Sequence, residues 1–357
     1  MKDCLKKVYF LIISVFLFHC SMNMEDKVLL DKEQIIDSNF SQSFIENFNK
    51  NKNFPSSYNI FFSEEIDEKL ISSFMKGIEF GFFSNEDSMK SKLSFISFDE
   101  ESDCSIIKAR SFNLILVNDI NSEFYRKCKR RLSRNSLFTS INIDSENEFI
   151  QIDEKSLLIT GRNRNSKNNE NILSLKNSSD YEQKVADYFE INLSNERVRS
   201  LRNVLKEKIN FSPRKRRDID KIFIDALPNE TKRIIPAIRY NLIFDVEVLT
   251  YPKSLDVWNS ELSFSELNKV QGIEYPVLLN RINIFEKIIP VLNINEKIAF
   301  SAGFDVFFFG AKIKGRSSNF SGLLGRYEIK ENFLYSNPLK FRIDPVSYTH
   351  LTLPTNA

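Results

Sequence analysis

The chain has 357 residues, with 50 Lys and Arg against 48 Asp and Glu and a net charge of +2. That length is enough for two lobes with a core each, and so even a balance excludes a bulk electrostatic attraction to nucleic acid. Its two histidines are His19 and His350, which leaves the long segment between them without His-activated nucleophiles or His-containing metal sites.

The amino terminus reads as a secretion signal. Lys2, Lys6 and Lys7 precede an apolar run from Val8 to Phe18, too short to cross a hydrocarbon core of roughly 30 Å but within the range of a signal-peptide core. Leu17 and Cys20 have the spacing of a lipobox, in which the cysteine thiol accepts diacylglycerol and becomes the first mature residue. His19 stands where a small residue is usual, and the competing reading is an ordinary signal with an incidental cysteine. Ser21 after the cysteine resembles the sorting pattern for outer-membrane delivery. Residues 1–20 are therefore expected to be a lipoprotein-type signal peptide lipidated at Cys20, and the polar, Asn- and Lys-rich residues 21–54 a tether.

From Tyr58 the pattern tightens. Asn59 to Phe62 is a short strand, and Ile66, Leu70, Phe74, Ile78 and Phe82 recur every fourth residue along a helix from Ile66 to Phe83. Leu93 to Phe98 and Asn113 to Val117 are two further apolar strands. Cys104 precedes a strand and Cys128 lies in the amphipathic stretch Glu123 to Leu132, so in an oxidising compartment the two form a disulfide or remain separate half-buried thiols. The polar run Thr160 to Asn171 is expected to be a solvated loop at the crossover between lobes.

In the second half, Glu196 to Ile209 places Val198, Leu201, Leu205 and Ile209 on one helical face. The basic turn Pro213-Arg-Lys-Arg-Arg217 follows, then an apolar run Ile219 to Ala226, a helix Thr231 to Tyr240 and a strand Val246 to Tyr251. Gly272 to Leu279, the aromatic run Gly303 to Ile313 and the closing Gly322-Leu-Leu-Gly325-Arg-Tyr-Glu328 complete the series. Alternating strands and helices imply parallel pairing with right-handed crossovers. Phe304 to Phe309, bracketed by Gly303 and Gly310, is expected to be buried, whereas Trp258 sits in a loop where an exposed indole would be a contact hot spot. Residues 345–357 follow no periodicity of the preceding domain and resemble translated sequencing-adapter sequence, a non-native tail.

The chemistry on offer is sparse. There is no Gly-rich phosphate loop and no Gly-x-Ser-x-Gly elbow, and neither cofactor nor metal is expected. Asp218 and Asp220 are the best-placed carboxylates, but they precede a strand, whereas open α/β sheets bind ligands at the carboxyl ends. They are expected instead to neutralise the adjoining arginines. Arg197, Arg199, Arg202, Lys206, Lys208, Arg214, Lys215, Arg216 and Arg217 crowd together, and this is either a solvated face or a contact for anionic lipid, cell-wall carboxylates or an acidic protein patch.

The ordered series Arg197…Arg199…Leu201, Pro213-Arg-Lys-Arg-Arg-Asp218-Ile-Asp220, Ala226-Leu-Pro228, Arg233…Pro236, Gly272-Ile and Gly303-Phe-Asp305 resembles the carboxy-terminal domain of the LppC/LpoA family, lipoprotein activators of penicillin-binding proteins. The resemblance implies an α/β, two-lobed type 1 periplasmic-binding-protein-like fold with parallel sheets flanked by helices. That domain is expected over 55–344, lobe one being 55–145 with a return near 295–315 and lobe two 146–294 with 316–344. It further implies an outer-membrane, periplasm-facing, lipid-anchored protein that binds and activates a bifunctional peptidoglycan synthase, with no active site and no nucleic-acid partner. Arg214, Arg216 and Arg217 are the candidate partner-binding residues. The alternative is a solute-binding protein or receptor that clamps a small ligand between its lobes. In that case the acids of Phe62-Ser-Glu-Glu65, closing the first strand, would repel a ligand carboxylate. An enzyme is a third reading, disfavoured by the missing histidines.

Overall fold

In a computed structural model of the protein, the residues described are 34–35, 54–84, 90–107, 111–131, 135–141, 153–161, 171–175, 180–258, 267, 269–314 and 320–343. The expected signal peptide with Cys20, most of the tether, the tail and both histidines lie outside them. Of residues 1–35, only the two-residue strand Gln34–Ile35 is described.

The first half opens with strand β1 (Ser57–Ser63), helix α1 (Glu68–Phe83), strands β2 (Lys92–Phe98) and β3 (Phe112–Val117), short helix α2 (Glu123–Cys128) and strand β4 (Ser136–Ser140). All six residues of β3 are buried, as a central parallel strand covered on both faces requires, whereas β2 is half-exposed at the sheet edge. Asp67 caps α1 by accepting the N–H groups of Lys69 and Leu70. Register at the amino ends is held by a buried polar ladder: Asn59 Nδ2 donates to Asn113 Oδ1 at 3.0 Å, and Asn113 Nδ2 to Ser136 Oγ at 3.0 Å. Cys104 and Cys128 are joined in a disulfide, so the first of the two open readings holds, and the bond ties the loop after β2 to the end of α2.

The second half contains β5 (Ser156–Thr160), β6 (Ile172–Ser174), α3 (Tyr181–Tyr188), α4 (Ile191–Leu205), β7 (Lys221–Asp225), α5 (Pro228–Tyr240), β8 (Glu247–Thr250), β9 (Val270–Glu274) and short α6 (Pro276–Leu279). The chain then forms α7 (Ile294–Lys314), β10 (Phe320–Gly322), β11 (Gly325–Lys330), β12 (Phe333–Asn337) and β13 (Leu339–Arg342).

Two parallel-rich sheets result. One runs β2-β1-β3-β4-β12-β11-β10, and the other contains β6-β5-β7-β8-β9-β13. Pairing is parallel except where β13 joins β9 and where β10, β11 and β12 form antiparallel hairpins. Each sheet begins with its first strand between its second and third, the doubly wound order that puts a switch point at the carboxyl end of the first strand. The fold is thus the mixed α/β, two-sheet plan that the sequence implied.

Four local expectations change. The run Thr160 to Asn171, of which 162–170 lie outside the described residues, joins β5 to β6 within the second sheet and is not the crossover between lobes. Residues 316–344, expected in the second lobe, divide: 320–337 pair into the first sheet and 339–342 return to the second. The strand β12 aligns on β4, Phe333 opposite Phe138 far earlier in the chain, a pairing no local pattern records. The helix read over 196–209 runs from 191 to 205, because Glu190 and Lys206 both take left-handed backbone (φ 59° and 55°) and bound it. Trp258 is buried at 7% exposure, its Nε1–H donating to the Val277 carbonyl, so it is a core residue and no exposed hot spot.

The aromatic run lies in α7, which packs on α1 through reciprocal glycines. A Cβ on Gly77 would stand 2.0 Å from the Phe300 carbonyl oxygen, and one on Gly303 2.0 Å from that of Phe74. Only hydrogen fits at either place, and the close approach lets Phe300, Phe304, Phe307 and Phe308 fill the first core.

Where the chain passes between sheets, buried polar groups pin it. Glu274, fully buried at the end of β9, accepts N–H groups from Lys253, Ser254 and Leu255 at 2.8, 3.0 and 3.1 Å. Lys297 on α7 donates to Asp256 at 2.6 Å, and both are buried. Asp305 accepts from the N–H of Leu323 and Leu324 and from the Tyr327 hydroxyl, all within 2.9 Å.

Candidate partner-binding groove

The basic turn lies where α3, α4 and the start of β7 meet. Its backbone is tied down first: the Arg214 N–H donates to Ser194 Oγ at 2.8 Å, and the Arg216 N–H to the Phe189 carbonyl at 3.1 Å. Those bonds use the buried side of α4 and the end of α3, so the turn is held although Arg214 and Arg217 face water.

The arginines then separate into two kinds. Arg216 grips Asp218 through two parallel bonds, Nε to Oδ1 at 2.8 Å and Nη2 to Oδ2 at 2.5 Å, and its guanidinium lies 4.8 Å from the centre of the Tyr188 ring. That hydrogen bond holds the Asp218 carboxyl below its ordinary range and keeps the guanidinium charged, while burial pushes the Tyr188 hydroxyl up. Lys215 pairs with Asp245, and burial with Arg217 nearby pulls its ammonium down. Arg214 and Arg217 are exposed and make no ion pair among the described residues. Asp218 and Asp220 precede β7 at its amino end as read from the sequence, Asp220 standing 3.7 Å from Lys155.

All four basic side chains of the turn line a groove of about 1130 Å³ whose far wall is the loop after α5, with Tyr240, Leu242 and Asp245. Tyr240 and Leu242 are largely exposed, as is Phe244 beside them. The sequence reading missed this wall. Its signal is Tyr240-Asn-Leu-Ile-Phe-Asp245, apolar residues in a turn between helix and strand, of which only Ile243 is buried. The groove therefore combines unpaired positive charge with exposed aromatic and aliphatic surface, a composition suited to an anionic ligand that also carries apolar groups.

The switch points look different. At the second, the Gly161 N–H donates to the Asp225 carbonyl at 3.1 Å, and a Cβ on Gly161 would stand 2.1 Å from Glu230 Oε2. Glu230 also accepts the Leu227 N–H, so an acid occupies the place where an open α/β sheet usually receives its ligand. At the first, β1 ends in Ser63 followed by the exposed acids Glu64 and Glu65. Among the described residues, no three His, Cys, Asp or Glu side chains gather as a metal site would need. No described helix is long and apolar enough to cross a membrane.

The molecule is thus a two-sheet α/β protein with a basic groove at the amino-terminal edge of its second sheet. Residues 161–298, which hold that groove entire, match the family described as "LppC putative lipoprotein". That description is in line with a lipid-anchored protein of the cell envelope. No curated protein matches. Among solved structures, the chain is similar to an ABC transporter substrate-binding protein from Desulfitobacterium hafniense (8% identity, TM-score 0.33, covering 79% of this chain and 96% of that one). It is also similar to a LacI family transcription regulator from Clostridium acetobutylicum (13%, TM-score 0.30, covering 73% and 93%). A third is an amino acid ABC transporter substrate-binding protein from Pseudomonas fluorescens Pf-5 (8%, TM-score 0.33, covering 81% and 95%).

Proposed function

We propose that the protein is a non-enzymatic lipoprotein regulator, anchored through Cys20 in the outer membrane, that binds and activates a bifunctional penicillin-binding protein. The observation that carries this reading is the LppC match over 161–298, because it spans the basic turn, the groove and the helix before them. The groove supplies unpaired charge at Arg214 and Arg217 for a partner to meet, while Arg216 shapes the turn. Stimulation requires that one conformation of the synthase be bound more tightly than another, which shifts its population toward the active form.

An active site of the chain's own finds little support. Asp218 is committed to Arg216, and Asp220 lies exposed beside it. The receptor reading is weakened by Glu230 and by Glu64 and Glu65, which bring negative charge to both switch points.

The test is a glycan-polymerisation and cross-linking assay with the purified mature chain and bifunctional synthases from the same envelope. A rise in synthase rate, with no hydrolase or transferase activity from the chain alone, is expected. Tight binding of a small solute with no effect on any synthase would replace this reading with the receptor. Labelled palmitate should enter the wild-type chain and not Cys20→Ala; equal labelling of both would remove the anchor.

A further inference from the structure

We infer that the exposed half of α4, with the two unpaired arginines of the neighbouring turn, is a docking surface for an acidic protein segment that carries apolar side chains at helical spacing. The inference deepens the regulator reading by naming the chemistry of the partner, and it rests on that reading only for the partner's being a synthase.

Helix α4 starts as an ordinary amphipathic helix. Ile191, Ser194 and Val198 form its buried stripe. The same stripe continues through Leu201, Val204 and Leu205, which are 51%, 78% and 54% exposed. A helix whose outer half met only water would carry charged residues there. Three aliphatic side chains at i, i+3 and i+4 make a ridge instead, the form in which a helix seats against a complementary surface.

Charge says what that surface is. Between Arg197 and Arg217 lie Arg197, Arg199, Arg202, Lys206, Lys208 and the four basic residues of the turn, with Glu207 as the acid among them. Asp218 and Asp245 neutralise Arg216 and Lys215, and the rest of the excess stays. The chain after the helix is drawn back along it, because the Arg202 guanidinium donates to the Ile209 carbonyl at 2.8 Å. The turn thereby returns to Ser194, and at 1.5 Å per residue the ridge begins about 10 Å further along the helix. A neutral apolar partner would leave the cations unmet, and a polyanion without apolar groups would leave the ridge uncovered. The ridge has no Trp or Tyr of the kind that seats at a lipid headgroup, which favours a protein over a membrane.

The probe is a fluorescein-labelled amphipathic peptide with Leu at helical spacing and Glu on its other face. The controls are the same peptide with Lys for Glu, one with Ser for Leu, and vesicles of phosphatidylglycerol, all titrated with the mature chain. The Glu–Leu peptide should bind about tenfold or more tightly than either control peptide. Leu201→Ser, Val204→Ser and Leu205→Ser together should weaken it by about tenfold, and Arg214→Glu with Arg217→Glu should weaken it and flatten its salt dependence. Should the triple variant fail to fold, Val204→Asp alone, at the most exposed position, must still weaken binding by like-charge repulsion. Equal binding of the Glu–Leu and Glu–Ser peptides overturns the proposal, as does indifference to Val204→Asp. Vesicle binding that the ridge variants abolish, with no peptide bound, assigns the surface to the membrane and overturns it too. Peptide binding by a chain that stimulates no synthase leaves the docking surface standing and removes the regulator reading.

Discussion

The basic turn and the junction between the sheets both depend on charge, yet they solve opposite problems. At the junction Lys297, Asp256, Glu274 and Asp305 are removed from water, and hydrogen-bond partners meet each of them. At the turn Arg214 and Arg217 stay in water and meet no anion among the described residues. A buried charge that has lost its partner retains a desolvation penalty of several kcal/mol, whereas an exposed one is rehydrated at little cost. Charge at the junction therefore maintains structure, and charge at the turn is available for binding.

The largest effect belongs to Lys297→Met. It leaves Asp256 buried beside an apolar side chain, and loss of about 3–5 kcal/mol is expected in denaturant titration. Replacing both partners, Lys297→Met with Asp256→Leu, should recover a good part of that loss, because no unpaired charge then remains. A double variant no better than the single would mean that Asp256 matters through its other bond, to the Trp258 N–H, and not as a counter-ion.

The next effect is covalent and independent of charge. Cys104→Ser with Cys128→Ser opens a loop whose ends are 24 residues apart, and about 3 kcal/mol of stability should go with it, unchanged by added salt. Salt dependence in this variant would show that the region is held electrostatically like the turn.

These two cases mark what can be read from residues alone. Strand β3 and helix α1 are legible because period and burial coincide: six apolar-rich residues in one, and Phe74 and Ile78 four apart in the other. Helix α4 departs from its expected bounds because its ends depend on left-handed backbone at Glu190 and Lys206, residues with no particular preference for it. The Lys297–Asp256 pair and the pairing of β12 on β4 link positions 41 and about two hundred residues apart, and no periodicity encodes either. The candidate arginines were legible as a cluster. Their division into a structural Arg216 and available Arg214 and Arg217 was not, since it depends on which side chain reaches Asp218 and Tyr188.

A smaller effect is expected with pH. Burial pushes the carboxyls of Glu274 and Asp305 up to about 7 from ordinary values of 4.5 and 3.8, and it outweighs the N–H donors around them. The folded chain then holds more protons than the unfolded chain between about pH 4 and pH 7. Stability should accordingly fall as pH rises through that window and level off above it. Asp305→Asn should lower stability throughout, because one donor loses its acceptor, and should also flatten the slope between pH 5 and pH 7. An unchanged slope would mean that Asp305 is ionised across the window and that its donors prevail over burial.

The smallest effect on stability is the most informative about function. Arg214→Glu with Arg217→Glu alters two exposed side chains that make no ion pair among the described residues, so the free energy of unfolding should stay within about 0.5 kcal/mol of wild type. Synthase stimulation, if the groove is the contact, should fall, and the remaining binding should depend less on salt. Arg216→Glu should behave in the reverse way. It sets a carboxylate against Asp218 and removes the guanidinium from the Tyr188 ring, a loss of about 1–2 kcal/mol with the turn loosened. A triple reversal would mix these outcomes, and only the separate variants can tell a lost contact from a lost shape. Normal stimulation by the Arg214/Arg217 variant, with its melting temperature intact, would exclude the groove from the interface and leave the basic turn a solvated face.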